Sequence, residues 1–175
     1  SAGGRLGGEG EEPASKRASV AGRPWRILDL GCGTGNTGSL YFEHEGRYSV
    51  VGIDLTPQML EKARQRPYEQ LICQNIEADL QVEDGTFDAV QFIGVSEFLT
   101  DPARTFAHVR MKLREGGLLL LTAPQKITAA KEKKYKIRTY EAGELERHVQ
   151  QAGFARLASR SCLGYGLPDI SVRYE

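Results

Sequence analysis

The sequence is short of the residues that announce a metal centre, a disulfide scaffold or a membrane span. Three cysteines (Cys32, Cys73 and Cys162) and three histidines (His44, His108 and His148) are scattered through 175 residues. None has the paired spacing of a zinc or iron–sulfur site, so no metal is expected. An odd, widely spaced cysteine set also excludes a disulfide framework and fits a reducing compartment. No apolar run approaches the roughly 20 residues that cross a bilayer. The amino-terminal stretch lacks the apolar core of a signal peptide, so a cytoplasmic location is expected. Net charge is missing too: 23 basic and 23 acidic side chains cancel. That balance argues against a nucleic-acid binder, whose affinity normally rests on a basic face, and leaves room only for a local basic patch. Neither nucleic acid nor membrane is an expected partner.

What is present is an alternation. Residues 1–23 are rich in Gly, Glu, Ser and Pro and cannot bury enough apolar surface to order themselves. They are expected to form a disordered tail before a single domain over 24–175, a length that one core can serve. From Trp25 onward, short apolar runs alternate with amphipathic ones. WRILDL, YSVVGID, QLICQN, FDAVQFIGV and LLLLTA predict five buried strands. GNTGSLYFEHEG predicts the first helix. Thr56 and Pro57 open a second, PQMLEKARQR. Thr100, Asp101 and Pro102 start a third, which carries Phe106, Val109 and Leu113 and stops at Gly116–Gly117. Thr139 is expected to cap a last helix bearing Leu145 and Val149. Two closing strands, FARLASRSCLGYG and DISVRYE, flank a turn at Gly166–Pro168. Continuous apolar strands alternating with helices mean an α/β fold with a parallel sheet covered on both faces. Ligands of such sheets bind beyond the carboxyl ends of the strands.

The first strand ends in Asp29-Leu30-Gly31-Cys32-Gly33-Thr34-Gly35. Glycines there permit a tight turn and let a ligand approach bare backbone. Gly33 to Gly38 also satisfies the dinucleotide fingerprint, with Asp54 at a fitting distance, so a nicotinamide-dependent oxidoreductase is one reading. Asp29 favours another. Its carboxylate, expected to face the crevice, would repel a pyrophosphate and attract a cation. S-adenosylmethionine (SAM) brings both an ammonium and a sulfonium. Asp54, ending the second strand, can accept both ribose hydroxyls of an adenosine. Leu55 and Met59 are placed to line an adenine, with core packing as the alternative for Met59.

These segments carry a resemblance. Ile27 to Gly35, Val51-Gly52-Ile53-Asp54, Phe87-Asp88-Ala89-Val90 and Arg114-Glu115-Gly116-Gly117-Leu118 resemble, in order, the successive motifs of class I SAM-dependent methyltransferases. The likeness runs from about Trp25 to Phe154. It implies a Rossmann-like, doubly wound, seven-stranded sheet, mostly parallel with an antiparallel last strand. It implies SAM as cofactor and S-adenosylhomocysteine as product, and a glycine-loop site at Asp29, Gly31, Cys32, Gly33 and Gly35. The stretch Tyr68 to Ile76 aligns without gaps with relatives that read tyrosine, acid, any residue, leucine, isoleucine and then aspartate-leucine. Asn75 and Ile76 are thereby preferred to Asp79 at the adenine, since an amide oxygen still accepts from an amino group. Family members often carry a helical lid before the first strand; no such pattern precedes Trp25.

Ile93 and the residues after it follow the fourth strand and should border the transferred methyl. No amino-methylating or cytosine-methylating motif occurs there. Transfer from a sulfonium needs chiefly alignment, with a base only where the acceptor must lose a proton. Glu97 is the weak candidate for that base, with a solvated carboxylate as the alternative. The histidines read as surface or packing residues. Lys126 to Arg138 reads as a basic, irregular loop where acceptor-binding elements often lie. The expected acceptor is a small molecule or a protein side chain. A non-catalytic SAM-binding interaction module is the competing function.

Overall fold

The computed structural model describes residues 22–124, 126–164 and 167–174; the expected tail lies outside them up to residue 21, and so does Gly166 of the expected closing turn. Seven strands follow in chain order: β1 (Trp25–Leu30), β2 (Tyr48–Asp54), β3 (Gln70–Cys73), β4 (Phe87–Phe92), β5 (Leu113–Pro124), β6 (Arg156–Gly164) and β7 (Leu167–Tyr174). They form one sheet in the order β3-β2-β1-β4-β5-β7-β6. The first five run parallel, and β7 lies antiparallel between β5 and β6. This is the Rossmann-like sheet that the strand pattern predicts. The chain leaves β1 toward β2 and β3, then returns on its other side to β4. That reversal opens a crevice at the carboxyl ends of β1 and β4.

Side chains alternate between the two faces of each strand. Leu28 and Leu30 of β1 join Val51, Ile53, Val90, Phe92, Leu119 and Leu121 in one apolar cluster. It is covered by α3 (Pro102–Lys112), through Phe106 and Val109, and by α5 (Glu144–Gln151), through Leu145 and Val149. The Phe92 and Phe106 rings meet edge-on at 5.7 Å. Asp29 falls on the opposite face, in register with Gly52 on β2 and Gln91 on β4. No helix among the described residues is long and apolar enough to cross a membrane.

Some elements depart from the sequence pattern. The first helix shrinks to one turn, α1 (Ser39–Phe42). Asn36 and Thr37, expected within it, lie before its start with their side chains bonded to Arg66 and Asp29. The second, α2 (Pro57–Ala63), starts at Thr56 as expected, but without a side-chain cap bond. Helix α3 stops at Lys112, and Gly116–Gly117 lie inside β5. The pair still interrupts regularity, because pairing jumps from Phe87↔Leu113 to Ala89↔Leu118. The basic stretch contains a helix, α4 (Ala129–Tyr135), none of whose residues is buried. Without an apolar stripe it leaves no periodic signal. Helix α5 begins after Gly143, not at Thr139, whose buried hydroxyl and N–H both donate to Glu132.

Arg23, assigned with the tail, is held by the sheet: its guanidinium donates to both oxygens of Asp88 at 3.0 Å. The buried Asp88 also accepts from the Arg26 N–H at 2.8 Å and pairs with Arg114 at 3.0 Å. Replacing Asp88 by Ala is expected to lower unfolding stability by about 2 kcal/mol, within the range for hydrogen bonds to charged groups. The urea midpoint would measure this, and an unchanged midpoint would show that the cluster is energetically idle.

Candidate functional site

The loop after β1 is pinned at its start. The Gly31 and Cys32 N–H groups both donate to the Ile53 carbonyl, at 2.8 and 3.1 Å. Gly31 adopts φ +71°, and a Cβ there would overlap the Val95 side chain. Only glycine serves at such a point. Gly33, at φ +53°, has open space where a side chain would stand. Its N–H donates to Asp54 Oδ2 at 2.8 Å, while Asp54 Oδ1 accepts from the Thr56 N–H at 2.8 Å. Asp54 thus ties the glycine loop to the start of α2. Its carboxylate keeps further lone pairs for a ligand, since two oxygens offer about four sites.

A cavity of about 670 Å³ opens beside this tie, beyond the strand ends. Gly31, Gly33 and Asp54 line it, with Leu55, Met59, Asn75 and Ile76. Seven of the eleven cofactor-site residues expected from sequence thus meet in one cleft. Leu55 is 65% and Met59 41% exposed, so Met59 belongs to the mouth and not to the core. Asn75 Oδ1 accepts from the Glu77 N–H at 3.0 Å, an Asx turn that shapes this wall. Asp79 lies outside the cavity, 89% exposed at its side chain and 4.0 Å from Lys112.

Asp29, Cys32, Gly35 and Ile93 do not line the cavity, nor does Glu97. Asp29 differs most from expectation. It is buried beneath the loop, and its Oδ2 accepts from Thr37 Oγ1 at 2.9 Å and from the Tyr68 hydroxyl at 2.8 Å. Burial pushes its carboxyl above the ordinary value; the Gln91 amide, Tyr68 and Thr37 pull it back, and Asp54 adds to the rise. The strand-end position is as predicted, but β1 alternation turns the side chain under the turn instead of into the cleft. Cys32 is buried beside it, and burial, then Asp29 and Asp54, push its thiol up to about 12. It is a packing group. The histidines stay off the cavity wall.

Of the segment after β4 expected to border the methyl, Gly94, Val95 and Phe98 line the wall, and sequence reasoning missed Glu77 beside them. Glu77 accepts from Thr100 N at 2.8 Å, Thr100 Oγ1 at 2.9 Å and Asp101 N at 2.9 Å, bracing the loop after β3 against the start of α3. Phe98 is 60% exposed and adds an apolar surface at the mouth. It sits in a 3-10 turn, Ser96–Phe98, held from behind by the Tyr140 hydroxyl on the Ser96 carbonyl at 2.6 Å and by the Arg138 N–H on the Glu97 carbonyl at 2.7 Å. The basic segment is therefore bonded to the turn that carries the wall.

Comparison with known proteins agrees with this geometry. The methyltransferase-domain family matches residues 28–121. A trans-aconitate 2-methyltransferase from Deinococcus radiodurans is 28% identical over 144 residues, covering 82% of this chain and 53% of that protein. A malonyl-[acyl-carrier protein] O-methyltransferase from Paenibacillus is 31% identical over 105 residues, covering 55% of this chain and 38% of that protein. The chain spans about half or less of the length of these curated relatives. A SAM-dependent methyltransferase structure from Methanosarcina mazei superimposes with a TM-score of 0.74 at 18% identity, covering 94% of this chain and 97% of the other. The loop, the strand order and the matched span agree, and the chain belongs to the methyltransferase-domain family, with the Rossmann-like fold of SAM-dependent methyltransferases.

Proposed function

We propose that this domain binds SAM in the cleft beyond β1, β2 and β4 and transfers its methyl group to a small-molecule acceptor. One observation carries the reading: the loops after three adjacent strands bring bare backbone at Gly31 and Gly33, a carboxylate at Asp54 and an amide at Asn75 to one cavity. These groups fit the cofactor. Asp54 is oriented by two backbone N–H groups to accept from vicinal hydroxyls. Asn75 and the Ile76 N–H address the edge of an adenine, and Leu55, Met59 and Phe98 offer apolar faces to its ring. The absence of a side chain at Gly33 leaves room for the amino-acid end. When bound, SAM supplies a methyl carbon on a sulfonium, open to in-line displacement by an acceptor lone pair.

The protein's own work is then alignment and exclusion of water. Positioning of this kind supplies up to roughly 7–11 kcal/mol. Glu97 does not line the cleft, and no role as base is assigned to it. The choice of a small molecule rests on relatives named for trans-aconitate and a malonyl carrier and on the zero net charge. A protein side chain is the second acceptor class.

Titration calorimetry should show binding of SAM and S-adenosylhomocysteine and none of NAD; the opposite pattern would overturn the assignment. Asp54→Ala should weaken SAM binding by roughly 1.5–3 kcal/mol, and Asp79→Ala should leave it unchanged. Asp29 gives a sign test. Its raised folded value means that its stabilising contribution is present below the ordinary carboxyl value of 3.8 and lost as pH rises through the folded value. Above that window its burial is a net cost. Asp29→Asn should raise the thermal midpoint of the ligand-free protein while weakening SAM binding; a lowered midpoint would refute the account of this burial.

A further inference from the structure

Tyr68 lies in the loop between α2 and β3, away from the cavity wall, yet it packs against the far end of the glycine loop. Its hydroxyl donates to Asp29 Oδ2 at 2.8 Å. A Cβ added at Gly35 would come within 3.0 Å of its Cε2, at Gly38 within 2.6 Å of its oxygen, and at Gly52 within 2.9 Å of its Cε1. Its ring meets Phe42 edge-on at 5.0 Å. Three glycines on two elements thus lack side chains where this one phenol stands. Thr37 is the second donor to the same carboxylate oxygen. Asp29 Oδ1 has no hydrogen-bond partner among the described residues. Gln91 flanks it from β4 and itself accepts from the Tyr41 hydroxyl at 2.9 Å.

Two donors on one oxygen, with the Gln91 amide acting on the same group, hold the carboxyl in place. We propose that Tyr68 is a positioning residue for cofactor binding, bracing the glycine loop and holding the Asp29 carboxyl group directly beneath the loop that meets the cationic amino-acid end. The proposal rests on the SAM reading above. Asp29 does not line the cleft, so its charge acts through the Gly31–Gly33 backbone. The groups facing it are Thr37 and Cys32 from the glycine loop, Gln91 from β4, Tyr68 from the α2–β3 loop and Asp54 from the end of β2. Burial and the Asp29 charge push the Tyr68 phenol and the Cys32 thiol upward, so both stay neutral at ordinary pH. Asp54 is the other charge. With the Gln91 amide, Tyr68 and Thr37 thus oppose the upward push of burial on this carboxyl.

Tyr68→Phe keeps the ring and removes the donor. Calorimetry with SAM between about pH 5 and 8 should show roughly tenfold weaker binding, the lower end of what a hydrogen bond to a charged group supplies. The acid limb of the affinity should move up by about half a pH unit or more, because loss of a donor to the charged form raises the carboxyl pKa. A tyrosine that only fills space would leave that limb in place, and an unmoved limb overturns the proposal. Thr37→Val should move it in the same direction, and it carries the test if Tyr68→Phe fails to fold by circular dichroism. Carbon-13 titration of the Asp29 carboxyl in the ligand-free protein separates the two claims. A rise in Tyr68→Phe supports Tyr68 even if SAM fails to bind the parent protein, and an unchanged titration overturns it whatever SAM does.

Discussion

Asp29 places a negative charge inside the sheet with neutral partners around it. Thr37 and Tyr68 donate to one oxygen, Gln91 lends an amide dipole, and the nearest other charge named at the site, Asp54, is of the same sign. Burying an ion without a counter-ion is expensive, so the ligand-free fold carries a standing cost at the spot where the glycine loop turns. A cation arriving above that loop would relieve part of it. Binding to the folded form alone then stabilises the protein by mass action, and part of the affinity comes from removing a defect instead of adding a contact.

The glycines around this charge have two different uses. Gly31 is empty because Val95 fills its side-chain position, and Gly35, Gly38 and Gly52 because Tyr68, together with Arg66, Phe42, Leu71 and Cys32, crowds theirs. Those are packing glycines, and they fix the loop to β2 and to the segment after β4. Gly33 faces open space. Its missing side chain leaves room on the cavity side, while its N–H sets Asp54. One motif thus holds its shape from below and offers backbone above.

The strand ends were legible because apolar runs bounded by glycine and aspartate have few other readings. Asp54, Leu55, Met59, Asn75 and Ile76 all follow such ends, and all reach the cleft. What escaped was whatever depended on direction or on contact across the chain. Asp29 sits where the pattern puts it, but its aim depends on which face of β1 it occupies. Glu77 owes its place to bonds with Thr100 and Asp101, more than twenty residues away, and no local spacing reveals them. Helix α4 buries nothing, so the periodicity that reveals helices is absent. Asn36 and Thr37, expected inside the first helix, lie before α1 and bond instead to Arg66 and Asp29, partners that the sequence does not pair.

The carboxylate of Glu77 makes the loop after β3 and the first turn of α3 into one mechanical body. Because α3 is anchored in the core through Phe106 and Val109, the cavity wall at Asn75 and Ile76 inherits the stiffness of the interior. Its ordering entropy is spent during folding and not again at each encounter with a ligand. A ligand entering on that side would therefore meet a preformed outline, and one of the wrong pattern would face polar groups that cannot rearrange to suit it.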